Sequence, residues 1–124
     1  MDTILLSIKP EYANKIFDGS KTFEFRKQLA HGSIRRIIIY VTSPVKQIIG
    51  EVEVVETLSM KKTPLWEITK HAAGISRRVY RDYFSNCSLA HAYCLGKVTR
   101  YCDSKTLSDF GLVQPPQSFV YINK

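Results

Sequence analysis

The apolar positions fall into short runs whose period switches between two and about 3.6, the signature of strands interrupted by helices. Thr3 to Ile8 is a first run of strand length, with Ser7 and Lys9 the polar residues at its end. Pro10 suits a first helical turn and Glu11 its positive end. Tyr12, Ala13, Ile16 and Phe17 recur at helical spacing and Gly19 is a stop, which predicts a helix from Pro10 to Asp18. Lys21 to Arg26 reads as the next strand. Ile34 to Thr42 carries the run Ile37-Ile38-Ile39-Tyr40-Val41, whose β-branching predicts a central strand ended by Ser43-Pro44. Gln47 to Thr57 sets Ile49, Val52 and Val54 against Glu51, Glu53 and Glu56. Its alternation slips near Val55, which predicts a bulge, and Gly50 marks the close approach of another backbone.

The second half repeats the mixture. Thr63-Pro64 predicts an N-cap and first turn, followed by Leu65, Ile68, Thr69 and Ala72 on one helix face. Ser76 is placed to cap a further helix, with Val79, Tyr80, Tyr83 and Phe84 as its buried stripe and Arg77, Arg78 and Arg81 on the other side. Leu89 to Cys102 reads as one long strand kinked at Gly96, as curved sheets require. Leu107, Phe110 and Leu112 pin a helical turn in the following connection, and Ser118 to Ile122 is a last strand. Five or six strands and three helices without regular alternation predict an α+β fold, a small, mostly antiparallel, curved sheet or barrel with flanking helices. At 124 residues this is the length of one domain over residues 1–124.

Charge and cysteine content narrow the partners. A net charge of +7 and a sequence pI near 9.4 favour a polyanion such as RNA or DNA. No apolar run reaches transmembrane length and no signal-peptide pattern opens the chain, so a cytoplasmic protein that does not engage membranes is expected. Three cysteines, Cys87, Cys94 and Cys102, match no zinc or redox spacing and are expected as reduced thiols, Cys94 and Cys102 in the core. His31, His71 and His91 are scattered, so neither a metal site nor another cofactor is expected.

The densest chemistry lies in Asp18-Gly19-Ser20-Lys21-Thr22-Phe23-Glu24-Phe25-Arg26-Lys27. Alternation puts Thr22, Glu24 and Arg26 on one face and Phe23 and Phe25 on the other. Lys21 has the parity of the phenylalanines, and a turn at Gly19-Ser20 would have to re-aim it toward the carboxylate and guanidinium. The plain reading of this spacing is a solvated strand face with an ion pair. The chemical reading is a cleft in which Lys21 acts as base or nucleophile, Glu24 relays a proton or accepts from a base amine, and Arg26 and Lys9 hold a phosphate. Ser7, Tyr40 and Ser43 sit at strand ends that would meet at the same cleft, and Tyr40 or Tyr93 offers a stacking ring. The plainer reading, and the one favoured, makes Tyr40 a half-buried strand residue and Tyr93 core. Arg77, Arg78 and Arg81 are a second basic face, either a phosphate grip or a solvated helix surface.

The order helix, Gly19-x-Lys21-x-x-Glu24-x-Arg26, then strand resembles the ASCH domain family. Leu5-Leu6-Ser7-Ile8-Lys9-Pro10, the Thr42-Ser43-Pro44-Val45 strand end, Gly74-Ile75-Ser76 and Pro115-Pro116-Gln117-Ser118-Phe119 are similar to a bacterial and archaeal branch of it. The resemblance implies a PUA-like barrel with flanking helices. It also implies RNA or nucleotide recognition in a cleft on the barrel, here the one around Lys21, Glu24 and Arg26. Members of this family include transcription-coactivator-like modules, ribonucleases, and an amidohydrolase that deacetylates acetylated cytidine. The resemblance therefore leaves three expectations: an RNA-binding module, a metal-independent hydrolase of RNA or a modified nucleoside using Lys21 and Glu24, or a non-catalytic regulator. The amidohydrolase pattern has a threonine at the position of Glu24 and a carboxylate from the helical region after the fourth strand. Here that region reads His71-Ala72-Ala73-Gly74, with Glu67 the nearest acid.

Overall fold

The computed structural model describes residues 2–122. Six strands, β1 (Thr3–Ile8), β2 (Phe23–Arg26), β3 (Arg36–Val41), β4 (Gln47–Met60), β5 (Ala90–Lys105) and β6 (Phe119–Tyr121), form one sheet in the order β2-β5-β4-β3-β1-β6. The sheet curls into a half-barrel. Only β1 and β3 run parallel; the other pairings are antiparallel. Three helices flank it: α1 (Pro10–Phe17), α2 (Lys62–Thr69) and α3 (Arg77–Tyr83). This is the α+β half-barrel that the hydrophobic pattern predicts.

The parallel pair follows from α1. A chain leaving β1 at Ile8 turns at once into a helix that starts on Pro10, and Ala13 and Ile16 bury its inner stripe against Ile4, Leu6, Ile37, Ile39 and Val41. A second cluster joins Phe25, Ala90 and Ala92 of the sheet to Leu65, Tyr80 and Phe84 of the helices. A third, of Leu5, Ile38, Tyr40, Ile48 and Ile122, is covered by Leu107, Phe110 and Leu112 of the connection before β6.

β4 and β5 make the long spine, and they bend where the sequence slips. Their register shifts between Val52 and Val54 and again between Val54 and Glu56, which turns Val55 outward at 69% exposure. At Gly50 a Cβ would overlap the carbonyl of Thr99 across the strand pair and come within 2.5 Å of the Phe17 ring. That ring in turn carries the Arg100 guanidinium at 4.4 Å from its centre.

Several local expectations are corrected. Lys61, not Thr63, is the N-cap of α2, and no side chain caps it; Pro64 therefore falls at the third helical position, still inside the turn whose N–H groups lack partners. Ile68 is 49% exposed, since α2 lies on the sheet through Leu65 and Thr69 alone. Val79 and Tyr83 are likewise exposed, at 43% and 36%, because only Tyr80 and Phe84 face the sheet. Cys94 is half-buried and Cys102 exposed, on the outer reach of β5 rather than in the core.

The absent side chain at Gly50 yields a direct check. Gly50→Ala is expected to destabilise the fold by about 2 kcal/mol through overpacking. The urea midpoint should fall with an unchanged slope; an unaltered midpoint would show that β4, β5 and α1 are not in close contact there.

Candidate functional site

Lys21 reaches its position through the turn, as the parity argument requires. Gly19, at φ +86°, ends α1, and the Lys21 amide donates to the carbonyl of Lys15 at 3.0 Å. Thr22 then donates to the carbonyl of Ala72 at 3.0 Å and accepts from the amide of Leu95 at 2.9 Å, which docks the segment before β2 begins. The Lys21 side chain runs inward and is 2% exposed. Its Nζ donates to the carbonyl of Ala73 at 2.6 Å and lies 5.0 Å from the centre of the Phe25 ring and 5.5 Å from that of Tyr12. Gly74 permits this path. Its φ is +71°, and a Cβ there would sit 2.6 Å from Lys21 Cβ and Cγ. The next carbonyl, that of Gly74, accepts from Lys15 Nζ at 3.1 Å, so consecutive peptide oxygens of one loop each hold a lysine.

Glu24 and Arg26 share one face of β2. Both Nε and Nη2 of Arg26 donate to Glu24 Oε2, at 3.0 and 2.8 Å. Nη2 also donates to the carbonyl of Ser7 at 3.0 Å. The guanidinium is therefore occupied on two sides. Glu24 is buried, but every fully enclosed side-chain oxygen or nitrogen among the described residues has a partner. Oε1 accepts no hydrogen bond from a described residue and is therefore not fully enclosed, and Glu24 lines the cleft.

These groups line a cavity of about 320 Å³, within the range that takes a small ligand. Ser7, Lys9, Lys21, Glu24 and Arg26 all reach it; Tyr12, Ile75, Val79, Tyr83 and Gln117 complete its walls. Ser7 lines it with its hydroxyl engaged, donating to the carbonyl of Pro116 at 2.8 Å. That bond fixes the loop that presents Gln117. The spacing of Tyr12 and Tyr83 gave no hint of the cleft. Each falls on an apolar helical stripe, and the amphipathic tip of such a residue becomes informative only once the neighbouring helix is placed.

Two expected members do not arrive. Tyr40 is 4% exposed and packs with Leu5, Ile38 and Ile48 away from the cavity. Ser43 is exposed in the turn after β3, before the cis-peptide at Pro44, and lines no part of the cavity. Tyr93 is core, its hydroxyl accepting from the amide of Ala30 at 2.9 Å. Glu67 stands outside, paired with Lys70 at 2.8 Å. Among the described residues no three His, Cys, Asp or Glu side chains gather as a metal site would. No helix among them is long and apolar enough to cross a membrane.

Burial sets the electrostatics. Desolvation holds the Lys21 ammonium below the ordinary lysine pKa; Glu24 opposes this, and Lys15 and Arg26 add to it. Desolvation also raises the phenols of Tyr12, with help from Glu11 and Glu24, and of Tyr83. Both rings thus keep their O–H as a donor at neutral pH. The cleft brings together a desolvated lysine, a carboxylate with one oxygen that no described residue engages, and neutral phenols.

Known proteins share this arrangement of the chain. It is 33% identical over 124 residues to an "ASCH domain-containing ribonuclease" of Zymomonas mobilis, covering 97% of this chain and 84% of that one. It is 31% identical to a stretch of the ATP synthase subunit alpha of Ureaplasma parvum, and 29% identical to a stretch of large ribosomal subunit protein uL22 of the same organism. The chain spans only 15% and 39% of the length of those two proteins. A crystal structure of the Zymomonas mobilis ASCH protein, in a tyrosine-to-phenylalanine variant, superposes with a TM-score of 0.91 at 30% identity, over 100% of this chain and 92% of that one. The ASCH domain model itself matches residues 6–99. The chain belongs to the ASCH domain family.

Proposed function

We propose that this protein binds single-stranded RNA with one nucleotide in the Lys21–Glu24–Arg26 cleft, and that it cleaves the RNA there without a metal ion. The observation that carries the reading is the buried Lys21 ammonium, held among aromatic rings in a cavity that Glu24 also lines. The ribonuclease name of the Zymomonas mobilis relative supports it, as does the basic net charge.

The groups fit a transphosphorylation. Glu24 Oε1 takes the proton of a ribose 2′-hydroxyl, whose oxygen attacks the adjacent phosphorus. The bond from phosphorus to the 5′-oxygen breaks, leaving a 2′,3′-cyclic phosphate. Lys21 stabilises the extra charge on the phosphorane and gives a proton to the departing 5′-oxygen; its depressed pKa makes that transfer easier than from an ordinary lysine. Lys9 supplies a mobile second cation at the cleft rim. Arg26 orients Glu24 through Nε and Nη2, which leaves Nη1 as its donor toward a phosphate. Tyr83 and Tyr12 offer faces for a base, and Gln117 an amide for its edge. An amidohydrolase would need a further carboxylate, and Glu67 does not line the cavity.

Three outcomes are expected. In fluorescence-anisotropy titrations of labelled single-stranded RNA, Lys21→Ala should weaken binding and flatten the salt dependence by about one phosphate contact; equal binding by both proteins would remove the cleft as the site. Cleavage should survive chelation and fall by roughly 10²–10³ on Lys21→Met, while a 2′-deoxy nucleotide at the scissile position should still bind but resist cleavage. Cleavage of that substrate would overturn the mechanism. Finally, the Lys21 Cε resonance should titrate below those of the other lysines, and Glu24→Gln should lower it further by removing the charge that favours the ammonium. Because the folded-state pKa lies under the unfolded value, the unfolded chain holds more protons between the two, and the Lys21 contribution makes stability rise with pH across that window.

A further inference from the structure

The opposite flank of α3 builds a second cavity, of about 310 Å³, lined by Lys62, Trp66, Arg77, Tyr80, Arg81 and two hydroxyl residues. Three of these side chains are cationic and none is acidic. Arg77 and Arg81 stand one turn apart and are exposed. Lys62 is tethered, its Nζ donating to the carbonyl of Phe84 at 3.2 Å. Beneath them Trp66 and Tyr80 form a tilted aromatic pair with centres 4.9 Å apart, and the Tyr80 hydroxyl donates to the carbonyl of Lys62 at 2.7 Å. The nearest acids to allow for are Glu67, engaged by Lys70, and Asp82 on α3. Arg78, the third arginine of the helix, does not line the groove.

α3 is also a wall of the first cleft. Val79 and Tyr83 face that side, and Arg77 and Arg81, two residues out of phase, face the groove. A helix is about 10 Å across, so a few nucleotides suffice to pass from one cavity to the other. We propose that the α2–α3 groove binds the continuation of the RNA strand whose nucleotide occupies the cleft, with Arg77, Arg81 and Lys62 on phosphates and Trp66 stacking a base. Cations over an aromatic platform are the usual means of holding single strands without reading their sequence. The inference rests on the RNA reading of the cleft, and it implies that affinity depends on RNA length.

The single tryptophan lies in the groove and serves as the probe. Full-length protein is titrated with a dinucleotide and with an octanucleotide of single-stranded RNA, with Trp66 fluorescence followed at several salt concentrations. The octamer is expected to quench Trp66 and the dinucleotide to bind without quenching it. The Arg77→Ala/Arg81→Ala double variant should lose roughly tenfold in octamer affinity at low salt and about 1.4 in the salt slope, two phosphate contacts' worth, with the dinucleotide unaffected. Arg77→Lys/Arg81→Lys, which keeps the charge, should restore most of the loss. Octamer binding that Lys21→Ala weakens and the arginine variant does not would overturn the groove and leave the cleft standing. Binding weakened by the arginine variant and untouched by Lys21→Ala would remove the cleft and overturn the continuous path, the groove then holding RNA alone. No octamer binding at all overturns both.

Discussion

A curled sheet that stops short of closing leaves a seam, and here one guanidinium bridges it. β2 is the edge strand on one side. On the other side β6 pairs with only Ile4 to Leu6 of β1, so the end of β1 has no strand beyond it. Arg26 of β2 reaches the carbonyl of Ser7 at that uncovered end while holding the carboxylate of Glu24. The same guanidinium that ties the two ends of the sheet together holds the one carboxylate lining the cleft. Losing Arg26 would leave Glu24 buried without its counter-charge, an outcome more costly than the pair is beneficial. The site and the seam are thus one structure.

The short C-terminal strand matters to the same place from another side. The Ser7 hydroxyl holds the carbonyl of Pro116, and the stiff Pro115-Pro116 pair then delivers Gln117 to the cleft and Phe119 to β6. A barrel edge that is left unpaired for a few residues is a liability in most sheets. In this chain the Ser7 carbonyl at that edge accepts from Arg26, the Ser7 hydroxyl holds the loop at Pro116, and all three of Ser7, Arg26 and Gln117 line the cavity.

Much of this was legible in the sequence because it is local. The β-branched run of β3, the helix stop at Gly19, the Ser76 cap, the slip near Val55 and the need for space at Gly50 all depend on neighbours within a few residues. The Ser76 hydroxyl does accept from the amide of Val79, at 3.1 Å. The convergence of Lys21 with Glu24 and Arg26 was legible only because the turn before β2 could be seen to break the strand's parity. What escaped depends on register and on helix placement. Tyr40 was drawn toward the cleft as a strand-end aromatic, but pairing across the sheet sends its side chain under the Leu107–Leu112 connection. Val79 and Tyr83 have the spacing of core residues, and only the position of α3 against the sheet shows them to be the wall of a cavity. Gln117 carries no pattern at all.

Gly74 ties two distant parts of the chain into a single genetic unit. Its missing side chain is filled by the methylenes of Lys21, fifty-three positions earlier in the sequence, and its backbone conformation resists substitution besides. A larger residue at 74 would therefore collide with the stem that carries the ammonium, and shortening residue 21 would not relieve the backbone strain. A substitution at 74, in a loop that gives the cleft no side chain of its own, would thus act on the cleft through the lysine packed against it.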